Sequence, residues 1–488
     1  MTNHRLSIGI AGLDEILHGG LMPRRSYLVR GGPGTGKTTL GFHFLTTGVA
    51  SSESTLFITF VEPEEDLREN AFHLGFNLDG INFLDLSPTS DFFTQVETYD
   101  IFSPAEVERE PITQKIIEYI EKLKPQRVFI DTITQFRYLS ADEYQFRKQL
   151  LSFLRFLIKN GVTVVFTSEV SSTTPDDDLQ FMSDGIIHLQ LSPEARSLQI
   201  TKFRGSNYQE GCHSFRLTSQ GMEVFPHLML ESYKRDFIAE LISSGIPELD
   251  QLLHGGLERG MVTLITGPSG VGKTTLGLQF IKEAATKGER SLIYIFEESV
   301  QTLILRCESI NIPINTMIQE EKLVVVPVEP FLYGTADHLA RLVHQEVEKL
   351  ETKIVMIDSI SGYGFSLQSE SLVNHLHSLC NYLKNMGVTV ILINELEMSS
   401  GEFRITEIGI SYLVDNIIFM RYMERHLAKT TEIRKAIGVI KKRVSNFEKS
   451  LREIEITPSG IKVSKPVSGI GGVLTGIPIW NDDEAVTI

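Results

Sequence analysis

One short motif occurs twice in this chain and constrains its fold more than any other feature. GGPGTGKT at 31–38 and GPSGVGKT at 267–274 both satisfy G-x-x-x-x-G-K-[ST]. The glycines let backbone N–H groups curl around phosphate oxygens, and the N-terminus of the helix that follows carries a partial positive charge. A chance Gly-rich turn is the alternative, but two matches at equivalent places predict two nucleotide phosphate sites.

The duplication extends well beyond these loops. GLDEILHGGL at 12–21 recurs within GIPELDQLLHGGL at 245–257, and Lys37 and Lys273 are 236 positions apart. The later segments RVFID and IVMID are 227 positions apart, which indicates a length change in the region 88–112 or its counterpart. The chain therefore contains two diverged copies of one unit rather than a short-period repeat.

Each copy alternates short apolar runs with amphipathic stretches. VTVVFTS and VTVILIN are typical of buried parallel strands, and QLLSFLRFLIKN and LVNHLHSLCNYLKN have apolar residues at helical spacing. This alternation predicts two tandem P-loop α/β domains, each a mainly parallel sheet with helices on both faces. We place the boundary near 222–240, which divides the chain into domains at 1–225 and 226–465 and a flexible tail at 466–488.

Composition excludes several classes of protein. The 488 residues carry a net charge of −16, so constitutive wrapping of nucleic acid is not expected. The three cysteines, Cys212, Cys307 and Cys380, are far apart, which is typical of a reducing cytoplasm. Neither a signal peptide nor an apolar run of about 18 residues is present, so no membrane span is expected.

The phosphate loops supply most of the candidate ATP ligands. Lys37 and Lys273 would reach the terminal phosphates, while Thr38 and Thr274 would bind Mg²⁺. The other candidates share a place in the two loops or in the first turn of the following helix: Gly32, Gly34, Thr35, Gly36 and Thr39 in the first copy, and Ser269, Gly270, Val271, Gly272 and Thr275 in the second.

Two aspartates end the apolar segments RVFID and IVMID. Asp131 and Asp358 would lie at the carboxyl ends of buried strands, where nucleotides bind in open α/β sheets. Each could hold Mg²⁺ through water. A helix N-cap is the alternative, since Thr132 or Ser359 follows.

Further acidic residues follow another apolar segment in each copy. Glu62 follows LFITFV, and Glu297 and Glu298 follow LIYIF. A carboxylate here can orient or deprotonate the nucleophile that attacks a terminal phosphate, and Glu297 is also a candidate Mg²⁺ ligand. Solvated acids in a turn are the alternative.

The two copies differ at this acid pair, because Val61 stands in the first copy where Glu297 stands in the second. We expect these residues to end a strand, where successive side chains face opposite ways, so Glu62 would not replace the missing carboxylate. The sequence therefore predicts two domains that both bind ATP but differ in chemistry.

Together these residues resemble the KaiC family, whose members are double-domain RecA-like ATPases of circadian clocks. The resemblance covers roughly 5–465 and implies a double-ring homohexamer with ATP between subunits. TKFRGSNY at 201–208 is similar to the family segment K-L-R-G-[TS], by which Lys202 and Arg204 would reach the neighbouring subunit's ATP. As alternate residues of one strand they could act on one polyphosphate; a solvated edge strand is the alternative.

The second copy of that segment is VIKKRVSNF, at 439–447, with Lys441 and Arg443 as the counterparts. Val444 replaces the family glycine, so the detail of the family's contact does not carry over to this segment.

The resemblance also implies phosphorylation sites. The family motif I-T-D-x-x-I-S-T-x-x-D reads I-T-E-I-G-I-S-Y-L-V-D here, at 405–415. Ser411 matches the phosphorylated serine and Thr406 the additional threonine. Tyr412 replaces the adjacent threonine, and its longer phenol would reach a terminal phosphate differently.

The leading hypothesis is an ATPase and Ser/Thr autokinase, with autophosphatase activity as a family option, in a KaiC-like signalling or clock hexamer. A RecA-like nucleic-acid motor is the first alternative, and it predicts a basic central loop that we do not find. A nucleotide-gated scaffold with marginal hydrolysis is the second. Expected partners are further copies of the chain and KaiB-like or other small regulatory proteins.

Overall fold

The computed structural model describes most of the chain and divides it into two compact units, Met1–His227 and Leu228–Ile488, called here the first and the second module. The described ranges are 5–88, 109–134, 143–169, 176–193, 195–227, 234–329, 336–365, 372–396, 410–427, 430–467, 470–471 and 479–480. Within them, no helix is long and apolar enough to cross a membrane.

The strands of the first module form one sheet. They are β1 Ser26–Gly31, β2 Thr55–Thr59, β3 Asn82–Asp85, β4 Arg127–Asp131, β5 Thr163–Glu169, β6 Gly185–Leu191, β7 Arg196–Phe203, β8 Cys212–Thr218 and β9 Gly221–Phe225. The helices are α1 Ala11–Ile16, α2 Lys37–Ala50, α3 Glu64–His73, α4 Arg109–Leu123, α5 Glu143–Lys159 and α6 Asp177–Met182.

The second module repeats this plan. Its strands are β10 Leu241–Ile242, β11 Leu257–Glu258, β12 Val262–Gly267, β13 Ser291–Ile295, β14 Leu323–Pro327, β15 Ile354–Asp358, β16 Thr389–Glu395, β17 Asn416–Leu427, β18 Thr430–Lys442, β19 Arg452–Thr457, β20 Gly460–Pro466, β21 Ile470–Gly471 and β22 Ile479–Trp480. Its helices are α7 Pro247–Leu252, α8 Lys273–Thr286, α9 Val300–Glu308, α10 Ile314–Gln319, α11 Ala336–Leu350, α12 Ile360–Phe365 and α13 Leu372–Asn385, and a 3₁₀ turn spans Ile410–Tyr412.

The two main sheets have the same strand order. It is β3-β2-β4-β5-β1-β6-β7-β8-β9 in the first module and β14-β13-β15-β16-β12-β17-β18-β19-β20 in the second. The first six strands of each order pair in parallel, and the last three add in antiparallel fashion. This confirms the predicted fold class of tandem, mainly parallel RecA-like domains.

Helices cover both faces of each sheet because the central strands are apolar on both sides. In β4, Val128 and Ile130 belong to one buried cluster and Phe129 to another. In β15, Met356 and Val355 divide in the same way between two clusters. Successive strand side chains point to opposite faces, so continuous apolar runs require two covering layers.

Part of the predicted tail pairs with the second sheet. β21 pairs with β22, and Ile479 of β22 is in parallel register with Glu424 of β17. The tail residues 468–469, 472–478 and 481–488 lie outside the described residues.

Candidate nucleotide sites

The first phosphate loop joins β1 to α2. β1 ends at Gly31, and α2 begins at Lys37 directly after Gly36, whose φ of 91° is left-handed. A Cβ built at Gly32 or Gly34 would meet no atom within 4 Å, so the loop borders open space. Such a loop can close around a phosphate with its backbone N–H groups.

The second phosphate loop has the same form between β12 and α8. The helix begins at Lys273 after Gly272, which is again left-handed with a φ of 113°, and Gly270 has a φ of 73°. Left-handed backbone favours glycine, which explains why these positions recur in both copies. The Val271 side chain is fully buried in the core, so only its backbone can face a ligand.

The loop lysines fold over their own loops. Lys37 Nζ donates hydrogen bonds to the carbonyl oxygens of Gly31 and Gly32, both at 2.9 Å, and Lys273 Nζ donates to Pro268 O at 2.8 Å. Burial lowers the pKa of both ammonium groups. Each cation is therefore held by weak carbonyl acceptors that an anionic phosphate could replace.

Two other loop threonines have internal roles. Thr35 Oγ1 donates to Gly32 O at 2.8 Å, and the Thr39 side chain is buried. The Thr35 bond helps to hold the shape of the loop, whereas Thr39 lies in the first turn of α2.

The predicted Mg²⁺ residues of the first module lie together. Thr38 Oγ1 donates to Asp131 Oδ2 at 2.6 Å, and Thr167 Oγ1 donates to Asp131 Oδ1 at 2.6 Å. This leaves the Thr38 oxygen lone pairs and the remaining carboxylate lone pairs as hard oxygen donors beside the loop, which suits Mg²⁺.

The second module has the same pair, since Thr274 hydrogen-bonds to Asp358, and burial raises the pKa of Asp358 to about 6. In the described part of the chain, no group of three His, Cys, Asp or Glu side chains could hold a metal. A threonine and an aspartate that bind Mg²⁺ together with substrate phosphates are compatible with that finding.

The acidic residues lie beyond the strands, not at their ends as expected. β2 ends at Thr59 and β13 at Ile295, so Glu62, Glu297 and Glu298 belong to the bends that follow. The prediction that they alternate across a strand is therefore wrong. The backbone makes one more hydrogen bond to the sheet, from Phe60 N to Asp131 O or from Phe296 N to Asp358 O, and then leaves it. The apolar runs continue past the strand ends, to Val61 and to Phe296.

Glu62, in the bend after β2, is the first-module counterpart of Glu298. Thr59 Oγ1 donates to the backbone oxygen of Glu62 at 2.6 Å. Burial and then the negative charge of Asp131 raise the pKa of Glu62, which indicates that its carboxylate lies near that of Asp131. Val61 is 48% exposed and supplies no acid.

In the second module, the two acids have different partners. Ser359 Oγ donates to Glu297 Oε1 at 2.6 Å. Glu298 forms an ion pair with Arg306, with Nη2 and Oε2 2.7 Å apart. The acid pair is therefore divided between a hydroxyl beside Asp358 and a guanidinium on α9.

A cavity of about 550 Å³ joins these groups in the second module. It is lined by the predicted residues Ser269, Gly270, Gly272, Lys273, Thr274, Thr275, Glu297, Glu298 and Asp358, and by Ile295, Arg306, Ile310, Ser359, Ile393, Glu395, Lys435 and Ile456. It contains phosphate-loop, acidic and apolar surfaces side by side, as an ATP site requires.

The basic residues predicted to act between subunits contact their own module. Lys202 Nζ donates to Gln180 O at 2.7 Å, and Arg204 Nη1 lies 3.7 Å from Asp184 Oδ1. β7 ends before Arg204, at Phe203, so the two residues are not both on the strand.

The second module repeats that arrangement next to the candidate phosphorylation sites. Lys441 Nζ donates to Ser411 O at 2.9 Å, and Arg443 donates to Tyr412 O at 3.3 Å and pairs with Asp415 at 3.0 Å. Ser411 and Tyr412 are both exposed. Thr406 lies outside the described residues.

Sequence reasoning missed three charged residues that line the cavity. Glu395 ends β16, and Glu169 ends β5 in the same position of the first module. The recurrence of a glutamate after VTVVFTS and VTVILIN could have indicated them. Arg306 and Lys435 belong to no motif, and Lys435 Nζ reaches the phosphate loop at Gly270 O, 3.1 Å away.

Comparison with known proteins agrees with this architecture. A family model described as "ATPase: KaiC" matches residues 6–229 and 242–468. Proteins named "Circadian clock oscillator protein KaiC" are similar to this chain: that of Rippkaea orientalis is 31% identical over 96% of the chain and 90% of its own length. That of Parasynechococcus marenigrum is 29% identical over 98% and 94%, and that of Synechococcus elongatus 29% over 96% and 91%. The chain therefore belongs to the KaiC family of ATPases, with the family domain present twice.

Proposed function

We propose that this chain binds Mg²⁺-ATP in both modules, assembles as a homohexamer with nucleotide between subunits, and phosphorylates itself on Ser411. The observation that carries the proposal is the recurrence of one geometry: a phosphate loop, its lysine and a threonine–aspartate pair at the carboxyl ends of the central strands. That edge of an open α/β sheet is where nucleotides bind.

Each group has a defined role in phosphoryl transfer. Lys37 and Lys273 would leave their carbonyl acceptors for the terminal phosphates. Thr38 with Asp131, or Thr274 with Asp358, would hold Mg²⁺. The bound ion would neutralise the negative charge that develops on the phosphate oxygens. The acids Glu62, Glu297 and Glu298 are the candidates that orient or deprotonate the attacking hydroxyl.

The hexamer is supported by the position of the second basic pair. Neither Lys441 nor Arg443 is among the described residues that line the cavity of their own module. The Arg443 side chain is 52% exposed although it pairs with the buried Asp415. An exposed guanidinium that its own site does not use suits the ATP of a neighbouring subunit.

Autophosphorylation is supported by the same segment. Ser411 is exposed in a 3₁₀ turn, and Lys441 and Arg443 bind the backbone of that turn. A segment anchored by the residues that would contact a neighbour's ATP presents its hydroxyl to that ATP. Tyr412, which is 59% exposed, is the less favoured acceptor because of its longer side chain.

One experiment tests assembly and transfer together. The purified protein is incubated with Mg²⁺ and labelled ATP, and native mass spectrometry and peptide mapping follow. We expect six subunits, nucleotide in both modules and label on Ser411 that Ser411→Ala removes and Tyr412→Phe retains. A hexamer that binds ATP without label on Ser411 would refute the autokinase activity alone.

A nucleotide-gated scaffold is a second candidate for the first module only. Val61 stands in place of an acid there, which favours slow hydrolysis. We also propose that small regulatory proteins of the KaiB type bind the assembled hexamer, by the likeness to the clock proteins. Co-purification with such a protein in ATP and not in ADP would support this.

A further inference from the structure

The cavity of the second module is lined by the guanidinium group of Arg306, which is bound to Glu298, one of the two acids there. Arg306 lies on α9, eight residues after Glu298. Its Nε is 3.2 Å from Glu298 Oε1 and its Nη2 is 2.7 Å from Glu298 Oε2. A two-point contact between a planar guanidinium and a carboxylate fixes both the position and the orientation of the acid.

The same guanidinium also reaches the helix of the phosphate loop. Arg306 Nη1 donates to Thr275 Oγ1 at 3.3 Å, and Thr275 follows the Mg²⁺ candidate Thr274. Arg306, Glu298 and Thr275 all line the nucleotide cavity. Arg306 therefore joins three elements of the site: the bend that contains Glu298, helix α9 and helix α8.

At the position that corresponds to Arg306, the first module has an amide and not a cation. Asn70, on α3, stands 236 positions before Arg306, which is the offset between the two phosphate loops. The Asn70 side chain hydrogen-bonds to Glu62, the counterpart of Glu298. An amide supplies a hydrogen bond without a charge, so Glu62 is held less firmly than Glu298.

The other acid of the second module has a different environment. Glu297 accepts a hydrogen bond from the neutral hydroxyl of Ser359, the residue after Asp358. A carboxylate that takes a proton from an attacking hydroxyl must turn a lone pair toward it. To accept that proton, Glu297 would give up one hydrogen bond from a neutral hydroxyl. Glu298 would have to give up a charge-assisted, two-point contact with Arg306.

We infer that Arg306 is a positioning residue specific to the second module: it holds Glu298 against the phosphate-loop helix and leaves Glu297 as the proton acceptor. The inference rests on the proposed phosphoryl transfer in that module. As the attacking oxygen forms its bond to the terminal phosphorus, its proton passes to Glu297. The bond from that phosphorus to the bridging oxygen breaks, and ADP leaves with the electron pair.

The test uses full-length protein with Lys37→Ala, so that turnover comes from the second module. We expect Glu297→Gln to lower kcat about 100-fold or more. Arg306→Asn and Glu298→Gln should each lower kcat about 10-fold with little change in KM, and the double variant should be no slower than either, because the two residues act as one unit. Arg306→Lys should recover part of the loss.

The reciprocal variant is Asn70→Arg with Lys273→Ala, which places a guanidinium beside Glu62 of the first module, as Arg306 lies beside Glu298 in the second. We expect first-module turnover to fall about 10-fold, since Glu62 is the acid available there. A larger loss from Glu298→Gln than from Glu297→Gln, or additive losses from Arg306→Asn and Glu298→Gln, would overturn the inference. Absence of turnover in the Lys37→Ala parent would instead overturn the proposed function of the second module.

Discussion

The stability of the first module should depend on pH through His43, on the phosphate-loop helix α2. Its Nε2 accepts a hydrogen bond from Met222 N at 2.8 Å, and its ring packs edge-on against Phe76 with centroids 4.7 Å apart. Burial lowers the pKa of His43 from 6.5 to about 4. The folded module therefore keeps the ring neutral where the unfolded chain would protonate it.

The sign and size of the effect follow from that shift. The unfolded state binds more protons than the folded state between pH 6.5 and 4, so stability is full above pH 6.5 and is lost as the pH falls toward 4. At pH 5 the loss is about 2 kcal/mol, and below pH 4 it reaches about 3 kcal/mol. Protonation would also remove the acceptor that Met222 N uses.

The control variant is His43→Gln, because Gln279 occupies the position of His43 in the second module. Hydrogen exchange is measured for peptides of α2 and α8 at pH 7 and pH 5 and corrected for the intrinsic rates. In the wild type, protection of α2 should fall about 30-fold more than in His43→Gln, which corresponds to about 2 kcal/mol. Protection of α8 should change equally in both proteins. Equal losses for α2 in the two proteins would refute this reasoning.

Three further perturbations have defined outcomes. Val61→Glu in a Lys273→Ala background should raise first-module ATP turnover about 10-fold, while the change in unfolding free energy stays within about 0.5 kcal/mol because the site is exposed. Arg127→Ala should destabilise the first module by about 3–5 kcal/mol in urea unfolding, since the fully buried arginine pairs with Glu53 and binds two backbone carbonyls. Thr38→Ala should weaken ATP binding about 10-fold in Mg²⁺ and leave it unchanged in EDTA, as calorimetry would report; equal weakening in both buffers would contradict the metal role.

The parts of the fold that local sequence controls could be predicted. The glycine spacing of the loops, the apolar runs of β4 and β15 and the helical spacing in α13 each depend on residues that are neighbours in the chain. The antiparallel extension β7–β9 was not foreseen in detail, because its burial alternates irregularly along each strand.

The candidate site could be predicted only in part. The place of Asp131 and Asp358 follows from the strands that they end, and the structure brings each beside the predicted threonine. The strand ends at Thr59 and Ile295 could not be predicted, since the apolar runs continue past them, to Val61 and to Phe296. Arg306 was missed because its role depends on contacts between elements that are separate in the sequence, and these contacts appear only in the structure.

The central claim is that two modules with one architecture differ in chemistry at the bend that follows β2 or β13, where the first module has Val61 and Glu62 and the second has Glu297 and Glu298. The most direct measurement is single-turnover ATP hydrolysis in the matched variants Lys37→Ala and Lys273→Ala, each of which silences one phosphate loop. We predict that the second module, active in Lys37→Ala, hydrolyses ATP about 10-fold or more faster than the first, because it has Glu297 where the first has Val61. Equal rates in the two variants, or a faster first module, would contradict this account.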